Sequence, residues 1–299
     1  MSRHILYIIN PISGVGSKGL LQSLVETRTK EAGIAFSIYP SVASGDYQFL
    51  KDIIREKKVT DVVIAGGDGT INQVVNALRK EDVSFGILPA GSGNGLAFTA
   101  GIPKNHNKAL DIVFAGKAEW TDAFMINNSF ACMLCGLGFD AQVAHDFAKD
   151  PNRGLTTYIK KTVSNFFIAK PYPFSITINE KTMDTVAYFI SIANSNQFGN
   201  HFTIAPKASL KDGNLDIVIM TKQNKLSVLF QTLFQVGGFH NLQEMDVLKS
   251  DASVLYFQTK SITIHNQEMA PMHLDGDPVE TKAIIEASIL PSCFRLIYP

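Results

Sequence analysis

The sequence predicts a doubly wound α/β domain over residues 1–125, followed by a β-rich, sandwich-like domain over residues 126–299. In the first third, short β-rich runs alternate with helical patterns, which favours a parallel sheet with crossover helices. After about Ala123, strand-like runs follow one another with few helices between them, as in antiparallel sandwiches. With 299 residues, 45% of them apolar, the chain is long enough to bury two such cores. Its last strand could return to the first domain.

The first domain shows four short apolar runs that read as strands. They are His4–Ile9, Ala35–Tyr39, Asp61–Ala65 and Ser84–Leu88. Helical patterns cover about residues 17–31 and 47–57, and a third helix follows Asp68 because Ile71, Val74, Val75 and Leu78 recur at helical spacing. A further short helix is expected after residue 95.

The second domain shows strand-like runs separated by turns. They are Phe174–Ile178, Val186–Ala193, Leu215–Met220, Val254–Gln258, Ser261–His265, Ala283–Ala287 and Phe294–Ile297. Helices are predicted at Gly154–Ile168 and Lys225–Val236. The apolar stripe of the second helix is typical of core, although part of it could line an acyl-chain groove or touch a bilayer.

Composition excludes several classes of protein. The 27 basic residues balance 27 acidic ones, which argues against broad electrostatic binding to nucleic acid. Three cysteines do not make a disulfide framework, and Cys132 and Cys135 are expected to be core thiols. No apolar run approaches the roughly 20 residues of a membrane-spanning helix. These features predict a cytoplasmic protein.

Three glycine-rich turns follow predicted strands, at Gly14–Gly19, Gly66–Gly69 and Gly91–Gly95. Because parallel strands place their carboxyl ends at one edge, the three turns should converge there. Glycine backbones and helix N-termini suit bound anions, so the sequence predicts a phosphate or nucleotide site at this edge.

The first turn matches the dinucleotide fingerprint through Gly14, Gly16 and Gly19. That fingerprint also needs an acidic residue at the end of the second strand, but the nearest acid is Asp46. Lys18 is followed by Gly19, so the turn is not a P-loop either. The predicted phosphate-binding turn is therefore neither a dinucleotide-binding fingerprint nor a P-loop.

The glycine turns belong to a longer series of motifs in fixed order. The series is Asn10-Pro11, Gly66-Gly-Asp-Gly-Thr-Ile-Asn72, Leu88-Pro-Ala-Gly-Ser-Gly-Asn94, Gly136-Leu-Gly-Phe-Asp140, Pro206 with Asp212-Gly-Asn-Leu-Asp216, and His273-Leu-Asp-Gly-Asp277. It resembles the catalytic domain of diacylglycerol and sphingosine lipid kinases. The resemblance covers nearly the whole chain, whereas the Gly66–Thr70 block alone is shared with NAD kinases.

The resemblance implies ATP and Mg²⁺ as cofactors, with an active site between the α/β domain and the β-sandwich. It implies a nucleotide-binding set of Asn10, Ser41, Gly66, Gly67, Asp68, Gly69, Thr70, Ile71, Asn72, Ser92 and Asn94. Asp68 would act on the phosphates through Mg²⁺, which binds one or two carboxylates plus substrate oxygens. The alternative is that Asp68 only caps the helix beginning near Thr70.

Asp275 matches the family's proposed general base, which would take the proton of the acceptor hydroxyl. Asp277 stands where the family usually has glutamate and would support it. The alternative is that Asp275-Gly276 is simply a hairpin turn.

Two further segments carry expectations from the family. Asp212, with Ser209 and Asn214, resembles a structural Mg²⁺ loop of bacterial members, although Asp-Gly-Asn is more often only a turn. Gly95 replaces an aspartate that many bacterial diacylglycerol kinases carry, which brings the third turn closer to sphingosine and ceramide kinases. The acceptor lipid therefore stays open.

The sequence thus predicts an ATP- and Mg²⁺-dependent lipid kinase that meets its lipid substrate at a membrane surface. The enzyme would be peripheral to the membrane, with no transmembrane segment and no nucleic-acid partner, and a homodimer is compatible with the sequence. Two alternatives stay open: a soluble kinase of the NAD-kinase type, and a non-catalytic nucleotide-binding regulator.

Overall fold

The computed structural model describes residues 3–11, 18–149, 164–165, 169–199, 202–221 and 254–299. The chain divides into two compact units. The first unit is formed by Met1–Thr121 together with Ser292–Pro299, and the second by Asp122–Pro291. The predicted helices Gly154–Ile168 and Lys225–Val236 lie, almost wholly and wholly respectively, outside the described residues.

The first unit is built on a parallel sheet. Its strands are β1 (His4–Ile9), β2 (Ala35–Pro40), β3 (Asp61–Gly66) and β4 (Ser84–Pro89), in the order β4-β3-β1-β2. Strand β3 is fully buried, and β1 is buried from Ile5 to Ile8, because helices cover both faces of such a sheet. All four predicted strands are confirmed.

Five helices connect these strands or follow them. They are α1 (Lys18–Glu31), α2 (Phe49–Lys57), α3 (Asp68–Leu78), α4 (Gly95–Thr99) and α5 (His106–Ala115). The predicted apolar face of α3 is buried, as expected from its helical spacing. The sequence reading overlooked α5, although Asn105 caps its start and Gly116 ends it in the left-handed conformation.

The second unit begins within β5 (Ala118–Ile126) and continues through short strands and one helix. These are β6 (Ser129–Ala131), β7 (Leu134–Gly138), α6 (Phe139–Lys149), β8 (Tyr172–Ile178), β9 (Lys181–Ala193), β10 (Gln197–Gly199), β11 (Phe202–Thr203), β12 (Leu215–Thr221), β13 (Val254–Thr259), β14 (Ser261–Asn266), β15 (Met272–Leu274), β16 (Asp277–Val279) and β17 (Ile284–Ile297). Among the described residues of this unit, the strands pair antiparallel, which confirms the β-rich prediction.

The long strand β9 organises this unit. Its first half pairs with β8, and its second half pairs with β7 on one side and β12 on the other. The apolar residues of these strands form one buried core that includes Phe124, Phe174 and Ile264. The core therefore holds β7 and the strand β15 that pairs with it in place.

The last strand corrects one prediction. The sequence indicated two strands, Ala283–Ala287 and Phe294–Ile297, whereas a single strand β17 runs through both. Its first residues pair with β14, and Arg295 and Leu296 pair in parallel with β4. Ser292 has a positive φ of 50°, so the chain bends there without leaving the strand.

Within the part of the chain that the structure describes, no helix is long and apolar enough to span a bilayer.

Candidate functional site

The carboxyl ends of the parallel strands bring the predicted phosphate turns together in the first unit. The Ser41 N–H donates to the Ile9 carbonyl at 2.9 Å, and the Ala90 N–H donates to the Gly66 carbonyl at 3.0 Å. The turns after β1, β2, β3 and β4 therefore leave the sheet at one edge. Gly14 and Gly16 of the first turn lie outside the described residues.

The second and third glycine turns touch through their backbones. A Cβ on Gly91 would lie 2.4 Å from the Cα of Gly67, and one on Gly67 would lie 3.1 Å from the Cα of Gly91. No larger residue fits at Gly91 unless the backbone moves. The two turns thus form one surface, which we call the phosphate-loop cluster: Asn10, Gly66–Asn72 and Gly91–Asn94.

Replacing Gly91 by alanine is expected to lower the free energy of unfolding by about 3 kcal/mol, the upper range for overpacking, because the clash is with backbone. Gly19→Ala is the matched control, since its Cβ would meet nothing within 4 Å and the position is helical. Thermal or denaturant unfolding of both variants gives the comparison. If Gly91→Ala unfolds like the wild type, the close approach is unnecessary.

Asp68 connects the second turn to the third. It is the first residue of α3, and its carboxylate accepts the N–H of Gly95 at 3.0 Å and of Leu96 at 3.2 Å. The alternative predicted that Asp68 caps the helix near Thr70; instead, its carboxylate lies at the N-terminus of α4. An anion in that position is stabilised by the unsatisfied N–H groups of the helix.

Asn94 and Asn10 hold the turns from within. Asn94 is buried and has the left-handed backbone conformation. Its side-chain oxygen accepts the Gly91 N–H at 2.7 Å, and its side-chain NH₂ donates to the Gly91 carbonyl at 2.9 Å. The Asn10 amide donates to the hydroxyl of Thr70 at 2.8 Å. Both residues were predicted as nucleotide contacts, and the structure shows that they stabilise the turns.

The remaining predicted nucleotide residues occupy the same edge. Ile71 is buried, so only its backbone could meet a ligand, while Asn72 is half-buried and Ser92 is exposed. Ser41 is half-buried beside Tyr47, whose hydroxyl accepts the Val42 N–H at 3.3 Å. Burial raises the pKa of Tyr47, and hydrogen bonds from Val42 and Ser41 oppose that shift.

In the second unit, Asp275 lies in the two-residue turn of the hairpin β15–β16. Asp275 and Gly276 have positive φ values of 49° and 89°, as in a type I′ turn, and Leu274 pairs with Asp277. The hairpin alternative therefore describes the local backbone correctly. The backbone geometry of the turn does not determine what the Asp275 side chain contacts.

The Asp275 carboxylate is buried and held by backbone. It accepts the N–H groups of three consecutive residues, Cys132, Met133 and Leu134, at 2.9, 2.9 and 3.0 Å. A carboxylate offers about four lone pairs, so most of its acceptor capacity is used. Asp277 is exposed on the next strand. No sequence signal could reveal the contact with residues 132–134, because it joins segments more than 140 residues apart.

Asp140 and His273 lie beside this hairpin and were not identified as site residues. Asp140 is buried at the start of α6, and its Oδ2 lies 3.5 Å from Nε2 of His273. Burial raises the pKa of Asp140, and contact with His273 opposes the shift. Burial also raises the pKa of the Cys135 thiol, and the charges of Asp140 and Asp275 add to it.

The Asp212 turn is closed by its own hydrogen bonds. The carboxylate of Asp212 accepts the Asn214 N–H and the Gln258 amide, each at 3.1 Å, and Ser209 Oγ accepts the Lys211 N–H at 3.3 Å. Asp122, which the sequence reading overlooked, accepts the Gly213 N–H at 2.7 Å. Among the described residues, no group of three or more His, Cys, Asp or Glu side chains could hold a metal. Magnesium at Asp212 stays a prediction.

Two family models match the chain. A model described as the diacylglycerol kinase catalytic domain matches residues 4–126. A second, described as the YegS C-terminal NAD kinase beta sandwich-like domain, matches residues 134–298 and thus more than half of the chain.

Relatives resemble the chain over most of their length. "Probable lipid kinase YegS-like" of Shewanella frigidimarina is 29% identical over 290 residues, which is 93% of this chain and 88% of that protein. "Diacylglycerol kinase" of Bacillus subtilis is 26% identical over 277 residues, 90% and 88% of the two chains. A solved diacylglycerol kinase structure from Bacillus anthracis superposes with a TM-score of 0.75 at 18% identity, over 99% and 97% of the chains. This likeness confirms the predicted fold.

Proposed function

The chain belongs to the diacylglycerol kinase family, with a C-terminal domain of the YegS type, and on that premise we propose that it transfers the γ-phosphoryl group of ATP to a hydroxyl of diacylglycerol or a related lipid. The observation that carries the proposal is the phosphate-loop cluster, where two glycine turns touch through backbone alone. The acceptor is an amphiphile, so the reaction would take place at a lipid–water surface, with the enzyme peripheral to it.

The nucleotide would bind the phosphate-loop cluster. Gly67 precedes the first turn of α3, whose backbone N–H groups suit phosphate oxygens. The absence of side chains at Gly67 and Gly91 lets the two turns approach each other closely. Thr70 and Asn10, already bonded to each other, keep this surface in place. Such preorganisation is what a phosphoryl transfer site requires.

Asp68 would hold the Mg²⁺ that accompanies the nucleotide. Its residue type fits, because Mg²⁺ is usually bound by one or two carboxylates together with phosphate oxygens. When bound, the ion neutralises charge on the β- and γ-phosphates. The contacts to Gly95 and Leu96 would orient the carboxylate.

Asp275 would receive the proton in the transfer step. The lipid hydroxyl oxygen forms the new bond to the γ-phosphorus, and the bond from that phosphorus to the β–γ bridging oxygen breaks. ADP leaves with the bonding electrons, and the hydroxyl proton passes to the Asp275 carboxylate. The three N–H groups of Cys132, Met133 and Leu134 would fix its position, and Asp277 would support it from the same hairpin.

The proposal is tested by transfer of labelled phosphate from ATP in mixed micelles. Diacylglycerol, sphingosine, ceramide and a total lipid extract are offered separately, and NAD serves as the soluble control. We expect label in one or more of the lipids and none in NAD. Label in NAD alone would replace the proposal with a soluble NAD-kinase-type activity, and ATP binding without transfer would indicate a regulator.

A further inference from the structure

A buried acid–imidazole pair supports the Asp275 hairpin. His273 is 1% exposed and Asp140 is 7% exposed. Among the described residues, neither His273 Nε2 nor Asp140 Oδ2 has a hydrogen-bond partner of good geometry, and the two atoms face each other at 3.5 Å. Buried polar atoms short of partners are rare, so this arrangement calls for an explanation.

The other ring nitrogen of His273 contacts the Asp275-Gly276 turn. The Gly276 N–H donates to His273 Nδ1 at 3.3 Å. A neutral imidazole that accepts at Nδ1 carries its proton on Nε2, which is the atom that faces Asp140. The ring also packs against Phe198, with 5.8 Å between ring centroids, which limits its rotation.

Helix α6 anchors the pair. Asp140 Oδ1 accepts the Ala141 N–H at 2.8 Å, and further along the helix His145 Nε2 lies 2.9 Å from the Met272 carbonyl. Gly136, in the neighbouring strand β7, makes room: a Cβ there would lie 2.1 Å from Asp140 Oδ2 and 2.3 Å from His273 Nε2. The helix thus meets strand β15 at two points.

We propose that Asp140 and His273 are positioning residues that hold the Asp275-Gly276 turn for phosphoryl transfer, with Asp140 fixing the imidazole and the imidazole fixing the Gly276 N–H. The inference rests on the proposed role of Asp275. A small displacement of a catalytic group can lower the rate by a large factor. Loss of either residue of the pair should therefore lower kcat.

Two substitutions of His273 distinguish the contribution of its Nδ1 from that of its Nε2. His273→Asn places an acceptor where Nδ1 stands and retains the contact to Gly276, whereas His273→Gln reaches toward Asp140 and loses that contact. We expect His273→Gln to lower kcat by on the order of tenfold to 10²-fold. His273→Asn should lower kcat by a smaller factor, because this variant retains the contact to Gly276 and loses only the contact to Asp140. The KM for ATP should be unchanged in both. Equal kcat values for the two variants would overturn the proposal.

A second pair of variants addresses Asp140. Asp140→Asn retains an oxygen that can accept from the imidazole, and Asp140→Ala retains none, so only the alanine variant should lower kcat. Ser191→Ala is the matched control: Ser191 is buried in β9, opposite Gly136 in register, and its hydroxyl bonds no described residue. If Ser191→Ala lowers kcat as much as Asp140→Ala does, the effect is general to buried polar side chains and the proposal fails.

Amide hydrogen exchange at Gly276 gives a readout without turnover. Its protection should survive in His273→Asn and fall in His273→Gln, even if no lipid is phosphorylated by the wild type. An inactive wild type with this exchange pattern would refute the proposed function and retain the structural link. An active wild type with equal protection in both variants would refute the link alone.

Discussion

Asp68→Asn is expected to lower kcat by on the order of 10² to 10³-fold, the range for losing one preorganised electrostatic group at the reacting phosphate. The amide retains one oxygen for an N–H of α4 but removes the charge that would hold Mg²⁺. Stability should fall by about 1 kcal/mol, as for loss of a helix cap, because one of the bonds to Gly95 and Leu96 is lost. Steady-state phosphate transfer and thermal unfolding measure the two effects separately.

Asn105→Ala is the control for that variant. Asn105 caps α5 by accepting the Lys108 N–H at 3.1 Å, so its replacement removes a cap of similar worth without touching the phosphate-loop cluster. It should lose similar stability and keep its activity per folded molecule. If Asp68→Asn likewise loses stability and retains turnover, Asp68 is only a cap for α4.

Asp275→Asn is expected to abolish measurable turnover while leaving ATP binding nearly unchanged. The variant would lack the proposed general base, and such groups contribute about 10² to 10⁴-fold. The variant should also be less stable by about 2–3 kcal/mol, because an amide NH₂ would face backbone N–H donors that now meet a carboxylate. Calorimetric ATP binding, turnover well below the unfolding temperature and the unfolding midpoint are therefore all required.

Glu280→Gln provides the matched acid-to-amide change. Glu280 is exposed and lies just beyond β16. Among the described residues, its carboxylate forms an ion pair with Lys282. It should retain both activity and stability, since exposed ion pairs contribute little. Normal turnover by Asp275→Asn would show that this carboxylate anchors the hairpin and is not the base.

The sequence was most informative where local pattern and structure coincide. Strands β1, β3 and β4 are buried over most of their length, so they appear as continuous apolar runs, and glycines mark the turns that follow β3 and β4. Strand β2, at the edge of the sheet, is only partly buried. The short helix after Gly91–Asn94 was also predictable, because this glycine-rich turn directly follows a predicted strand. The touching of Gly67 and Gly91 was not, because it depends on how neighbouring strands are aligned.

Contacts between distant segments escaped the sequence reading. Asp275 was predicted as the general base from its motif alone, and its contacts with three backbone N–H groups join residues far apart in the chain. The same holds for the pair Asp140–His273. Strand β17 was divided in two because Pro291 and Ser292 interrupt its apolar pattern. Tertiary pairing, which local propensity does not encode, keeps that strand continuous.

The return of the chain terminus to the first unit has a consequence for biosynthesis. Arg295 and Leu296 pair with β4, Phe294 packs edge-on against Phe85, and the hydroxyl of Tyr298 lies 3.0 Å from that of Thr121. A ribosome releases these residues only after the whole second unit has been made. Until then the edge of β4 lacks its pairing with Arg295 and Leu296. An unpaired strand edge can associate with other chains, so this edge stays unprotected until synthesis has passed the second unit.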